Sequence, residues 1–294
     1  MSFNNPSLVT QSWYVAARSR QLRAGQAKSF DVLRRRITIY RDEHGVAHAI
    51  DARCPHLGAD LGHGTVAGDS LRCAFHGWRF GPDGTCRQGS RSTRAYPAVE
   101  RWGLIWIFNG RQPLFDLPDP PGTRLRALRL PSQRINCHPH LVIANGLDIT
   151  HYESLHGMDY SEPPQLTRPA PHRLSVSLRG RPRARWQQIL TGTWARDIIA
   201  RFTTIGGSMA WATVEAPLRF HLLFAGRPDV AGGCETQTVL FCEPRHLPRA
   251  VALMYLLLHD DHRILNDIRF APHFVESDAP LKAFAELVDS LGSW

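Results

Sequence analysis

Apolar residues in the first third of the chain fall in short blocks separated by turn-forming residues. Ile37-Thr38-Ile39-Tyr40 and Val46-Ala47-His48-Ala49-Ile50 flank Asp42-Glu43-His44-Gly45, which predicts a hairpin. Leu71-Arg72-Cys73 and Trp78-Arg79-Phe80 are further short strands, and Gly81-Pro82-Asp83-Gly84 is strong turn chemistry. The continuous apolar run at 103–108 predicts a buried strand. Pro113, Pro118, Pro120, Pro121 and Gly122 then punctuate the chain and predict a boundary, giving domains 1–120 and 121–294. Beyond it the pattern is mixed. Residues 141–155 predict a helix or broken helix. Segments near 173–178, 186–191, 209–215, 220–224 and 236–242 predict strands, as does the run at 252–258. Pro280 with Leu281, Phe284, Leu287 and Val288 predicts a C-terminal helix. The fold class expected is α+β: a small all-β domain, then an α+β domain with an antiparallel sheet flanked by helices.

Composition narrows the class. Among 294 residues, 43% are hydrophobic and 21% charged, an ordinary globular balance. The longest clean apolar run, 252–258, is far short of a membrane-spanning helix, and the first six residues lack a secretory pattern. A cytoplasmic protein without membrane contact is therefore expected. The net charge is +9, and only Lys28 and Lys282 among the 35 basic residues are lysine. Such a charge suits nucleic acid, a membrane surface or an acidic protein partner. No basic module interleaved with stacking aromatics is present, so nucleic acid is not expected. Six cysteines are too sparse for a disulfide scaffold.

Two of those cysteines sit beside histidines. Cys54-Pro55-His56 is followed sixteen residues later by Cys73-Ala74-Phe75-His76. Thiolate and imidazole both ligate iron and zinc. A structural zinc site usually pairs its cysteines first and its histidines later, unlike this order. One Cys and one His from each of two loops is the requirement of a Rieske [2Fe–2S] centre, where two Cys hold one iron and two His the other. Gly58, Gly62, Gly64, Gly68 and Gly77 surround these positions and let backbone N–H groups approach bridging sulfides.

The second constellation is Asn145-x2-Asp148-x2-His151-x4-His156. Asp148 and His151 share a helical face, whereas His151 and His156, five apart, need a break to reach one metal. Two histidines with a later carboxylate make the facial triad of non-haem Fe(II) oxygenases. A pair of ordinary helix histidines is the alternative.

With Asp60, Trp78, Asp83 and Gly84 around them, the two Cys–His loops closely resemble the Rieske domains of non-haem iron oxygenases over residues 10–110. Phe75 stands where many members carry Tyr. Residues 145–156 resemble the catalytic domain of the same oxygenases, especially the group of dicamba and vanillate demethylases and ketosteroid hydroxylases. The resemblance implies a [2Fe–2S] cluster on Cys54, His56, Cys73 and His76, and a mononuclear Fe(II) on His151 and His156. It implies that Asp148 links His76 of a neighbouring subunit to His151, that Asn145 lies close to the iron, and that the assembly is a homotrimer. It points to Asp278 as the third iron ligand, with Asp267 and His259-Asp260-Asp261-His262 as competitors; the last reads as a solvated turn after the 252–258 strand. The implied activity is O2-dependent oxidation of a small aromatic or heterocyclic substrate by hydroxylation, demethylation or N-oxygenation. Electrons would come from NAD(P)H through a separate reductase or ferredoxin. A Rieske electron-transfer protein without oxygenase activity is the rival. Cys137-His138-Pro139-His140 is read as structural, Cys86 likewise, and alternating Arg179, Arg181, Arg183 and Arg185 as a solvated face.

Overall fold

The short-strand pattern of the first third becomes ten strands in the computed structural model, which describes residues 2–119, 125–194, 196–215, 218–271 and 273–294. They are β1 (Trp13–Arg18), β2 (Ala27–Val32), β3 (Arg35–Arg41), β4 (Ala47–Asp51), β5 (Thr65–Ala67), β6 (Ser70–Arg72), β7 (Arg79–Phe80), β8 (Ala95–Tyr96), β9 (Ala98–Arg101) and β10 (Leu104–Phe108). They form sheets ordered β2-β3-β4-β8, β1-β10-β9 and β5-β6-β7. The β3–β4 hairpin turns at Gly45, whose φ of 84° suits a residue without Cβ, and Asp42 accepts a bond from the Val46 N–H. Tyr40, Ile50, Leu61, Leu71 and Phe80 pack with Cys54, Cys73 and Cys86 in one core cluster.

The second part holds β11 (Arg126–Arg129), β12 (Gln133–Ile135), α1 (Pro139–Asn145), α2 (Ile149–Ser154), β13 (Met158–Ala170), β14 (Arg173–Pro182), α3 (Arg185–Thr191) and β15 (Ile198–Ile205). It continues with β16 (Met209–Glu215), β17 (Phe220–Pro228), β18 (Cys234–Cys242), α4 (Leu247–Asp267) and α5 (Ala279–Ser290). One sheet runs β11-β18-β17-β16-β15-β14-β13, with β12 also on β18. The class is α+β with antiparallel sheets, as the sequence predicts. No helix among the described residues is long and apolar enough to cross a membrane.

The chain divides into two compact units. One comprises residues 11–116, 227–230 and 293–294; the other comprises 1–10, 117–226 and 231–292. The first residues belong to the second unit because their backbone is captured there. Asn4 N–H donates to His140 Nδ1 at 3.1 Å, and Phe3 N–H to the Asp289 carboxylate at 3.0 Å.

Two predicted strands are helices. Residues 186–191 form most of α3, which stops at Gly192 in the left-handed conformation (φ 73°). The 252–258 run lies inside the 21-residue α4. Its Ala, Leu and Met residues are strong helix formers, and Pro248 sits in the first turn. Ala250, Leu253 and Met254 bury against Leu218, Phe220, Leu222 and Leu240 of the sheet side. Each large side chain so buried contributes roughly 1.5–3 kcal/mol.

Candidate active site and cluster-binding loops

The two loops bearing Cys54 and Cys73 repeat one backbone pattern. Cys54 N–H donates to the Ala59 carbonyl, five residues on, and its own carbonyl accepts from Gly58, four residues on (2.9 and 2.8 Å). Cys73 does the same with Trp78 and Gly77 (2.8 and 3.0 Å). Gly58 and Gly77 close these turns at φ 78° and 72°, where a side chain would be strained. Each loop thus buries its cysteine at the base and sends its histidine outward, His56 partly exposed and His76 exposed.

The imidazoles of His56 and His76 lie 4.5 Å apart between centroids, and His56 stacks on Trp78 at 4.4 Å. His56 Nδ1 is buried with no hydrogen-bond partner, a cost that a ligated metal removes. Among the described residues these four donors are not drawn in tightly enough to share one ion, as a single zinc would require. Buried thiols on one side and imidazoles on the other suit two irons.

The second constellation forms where α1 gives way to α2. Gly146 ends α1, and Asp148 caps α2 by accepting from His151 N–H at 3.0 Å. A Cβ at Gly146 would fall 2.0 Å from the Phe202 ring, so only glycine allows the chain to pass there. The break that brings His156 round follows Ser154, with Gly157 at φ 62°. Arg183 fixes this turn: its guanidinium donates to the Glu153 carbonyl at 2.6 Å and to the Gly157 carbonyl at 3.3 Å. It is solvent-exposed like Arg179, Arg181 and Arg185, as a solvated face predicts, and it also braces this turn. Arg179 and Arg181 pair with Asp197 at 3.2 and 2.7 Å, and Arg185 opens α3.

His151 Nε2 and His156 Nε2 both aim at Asp261 Oδ1, at 2.8 and 2.9 Å. These are the three side chains among the described residues close enough to hold one metal ion together. The Nδ1 atoms of both histidines are buried and unpartnered, and Asn145 Nδ2 lies 3.5 Å from His151 Nε2. Burial would raise the Asp261 carboxyl, but its bonds to the two imidazoles hold it well below the usual carboxylate range. Two imidazoles and a carboxylate converging on one point fit a divalent iron with open positions.

The carboxylate in this group is Asp261, not Asp278. Asp278 Oδ2 accepts from Val275 N–H at 3.0 Å in the turn before α5 and is outside the cluster. The solvated-turn reading of residues 259–262 fails because α4 runs through them to Asp267. The missed signal is helical spacing: Ala250, Met254, Leu257, Asp261 and Leu265 recur every three or four residues on one face. A lone carboxylate on an apolar helical stripe marks an inward-facing charge.

An apolar cavity of about 180 Å³ adjoins the cluster. Sheet residues of even number, among them Ala200, Phe202, Ala212, Val214, Leu222 and Phe224, form one wall, since alternate residues share a face. Leu253, Met254, Leu257 and Leu258 of α4 form another. Burial lowers the imidazole pKa of His262, which also borders the cavity.

The Cys137–His140 segment is structural. His138 Nδ1 accepts from His140 N–H at the start of α1, and Phe3 stacks on His140. Burial holds the His140 imidazole well below its usual range.

The sequence model of the Rieske [2Fe–2S] domain matches residues 12–101. This chain carries a Rieske domain. Relatives include the cholesterol 7-desaturase nvd of Bombyx mori, 37% identical over 164 residues (51% of this chain, 36% of the relative). The 4beta-methylsterol monooxygenase of Methylococcus capsulatus is 33% identical over 162 residues (49% of this chain, 44% of the relative). These matches thus span less than half of either relative's length. Dicamba monooxygenase bound to 3,6-dichlorosalicylic acid shares the fold with a TM-score of 0.72 and 20% identity, over 99% of this chain and 97% of that one. Pseudomonas putida CBB5 NdmA with caffeine aligns with a TM-score of 0.68 and 16% identity, over 95% and 89%. The sequence likeness to the two relatives thus covers about half of this chain, and the fold likeness to the two solved structures covers almost all of it.

Proposed function

We propose that the protein is the oxygenase component of a Rieske non-haem iron system that oxidises an apolar small molecule with O2. One observation carries this reading: His151, His156 and Asp261 converge at an apolar cavity in a chain that also carries a Rieske domain. A mere electron carrier has no use for a second, cavity-facing donor set. The relatives named as desaturase and monooxygenase support the same class.

When bound, the cluster supplies one-electron transfer and the mononuclear iron supplies activation of O2. Cys54, His56, Cys73 and His76 would hold the first; His151, His156 and Asp261 would hold the second. Asp148 fixes the backbone of His151, and Arg183 fixes the turn that presents His156. The apolar walls exclude water and leave the substrate beside the three donors. Within a homotrimer, Asp148 sits between His151 and His76 of a neighbouring subunit, and Asn145 lies close to the metal without being required as a ligand. Electrons come from NAD(P)H through a separate reductase or ferredoxin. An acidic ferredoxin would suit the +9 charge. The protein works in the cytoplasm, where reduced nicotinamide is available. Hydroxylation, demethylation, desaturation and N-oxygenation share these ligands, and the cavity selects among them.

Oxygen uptake with NADH and a surrogate reductase tests the reading. Uptake stimulated by substrate, with product formed in step, is expected; electron transfer without any substrate-dependent uptake would reduce the protein to a carrier.

A further inference from the structure

Resting on the oxygenase reading above, we propose that the cavity takes a neutral molecule with a one- or two-ring apolar body and an uncharged oxygen, a ketone or an alcohol, anchored by Gln187. At about 180 Å³ the cavity is slightly larger than the roughly 150 Å³ apolar cavity that accepts benzene. Its charge lies at the metal-ligand end. No lysine borders it, and Arg201 does so without turning its side chain inward. Ala200 and Phe202 face the cavity, so the residue between them faces away, and Arg201 Nε donates to Ser177 Oγ at 3.3 Å on that side. A substrate carboxylate would lose its water with no lysine or arginine to offset the loss.

Of the polar side chains that border the cavity away from the metal-ligand end, two threonine hydroxyls are committed, whereas Gln187 and the Thr238 hydroxyl on the sheet wall are not. The Thr236 hydroxyl is committed to the Gln133 carbonyl at 3.2 Å, and the Thr191 hydroxyl to the Gln187 carbonyl at 2.6 Å. Gln187 itself is 7% exposed and borders the cavity, yet its side-chain amide has no hydrogen-bond partner among the described residues. Buried amides are nearly always paired, so this one is available to an occupant. It can donate to a ketone and can donate to or accept from an alcohol.

Position adds the orientation. Leu190, one turn after Gln187, packs with Leu253 and Met254 of α4. Asp261 lies seven residues past Met254 along the same helix, about 10 Å of axial rise. The anchored oxygen and the oxidised carbon are therefore at opposite ends of the substrate.

Equilibrium dialysis of the iron-replete protein and its Gln187→Met variant against 1-indanone, indane and 3-chlorobenzoate tests this. Wild type should bind both neutral compounds and bind 3-chlorobenzoate at least tenfold more weakly than 1-indanone. In Gln187→Met the ratio of 1-indanone to indane affinity should fall about tenfold, the value of one hydrogen bond, with indane binding retained. Retained indane binding shows that the variant is folded. An unchanged ratio, equal or tighter binding of 3-chlorobenzoate, loss of indane together with indanone, or no saturable binding of the neutral pair would overturn the assignment. Two irons per chain alongside the expected binding would overturn the oxygenase reading alone.

Discussion

Asp148 combines two roles that one pair of variants separates. Its carboxylate caps α2 at the His151 N–H (3.0 Å), and it is half-buried. Asparagine caps about as well as aspartate, so Asp148→Asn should change stability by only a few tenths of a kcal/mol. Asp148→Ala removes the cap, at about 1 kcal/mol, or roughly 2–4 °C in melting temperature for a unit of this size. The charge behaves differently. A hydrogen bond to a charged group is worth about 1.5–3 kcal/mol and a neutral one about 0.5–1.5. If Asp148 carries the contact that conducts electrons between subunits, losing its charge costs about 1.4 kcal/mol there, a tenfold slowing. The assay is reoxidation of the reduced cluster by O2 with substrate present, with melting and iron content measured on the same samples. Asp148→Asn should keep its melting temperature and iron but reoxidise at least tenfold more slowly. A normal rate would refute the relay, and a slow rate accompanied by lost iron would assign Asp148 to metal retention instead.

Asp261→Ala should lose at least 100-fold in affinity for the mononuclear iron, since even outer-shell changes cost 10–100-fold, while Asp278→Ala should keep its iron; metal analysis with the cluster spectrum as internal standard decides. Gly146→Ala should lose about 1–3 kcal/mol in denaturant melts, because its Cβ would lie 2.0 Å from Phe202, and Phe202→Leu in the same chain should restore part of it. In the Rieske domain burial would raise the Asp60 carboxyl, but bonds from the Ser29 hydroxyl, the Arg36 guanidinium and the Gly62 N–H hold it below its usual range; Arg41 does the same for Glu100. Both folded pKa values lie below the unfolded ones, so their stabilisation is complete above about pH 4 and declines as pH falls through the folded values. Melting between pH 3 and 6 should show that loss, reduced in Asp60→Asn.

What the sequence disclosed depended on whether each signal was local. The Cys54–His56 and Cys73–His76 spacings lie within single loops, and the β3–β4 hairpin announces itself through its turn residues. His151 and His156 are legible for the same reason. Asp261 is about a hundred residues away, and no local pattern ties it to them. A strand over 252–258 hides the helical stripe that turns Asp261 inward, whereas Asp278 fills a turn before α5. The error in α3 is of the same kind: Trp186, Ile189 and Leu190 suit either element, and Gly192 is the stop that marks a helix. Gln187 could not be recognised from sequence, because an uncommitted amide is visible only against the bonds its neighbours make.

Analysis of iron and acid-labile sulfide in the reconstituted protein tests most directly whether one chain carries two separate metal-binding sets. Three irons and two sulfides per chain are predicted, the third iron lost in Asp261→Ala and retained in Asp278→Ala. Two irons and two sulfides per chain, unaltered by Asp261→Ala, would contradict it.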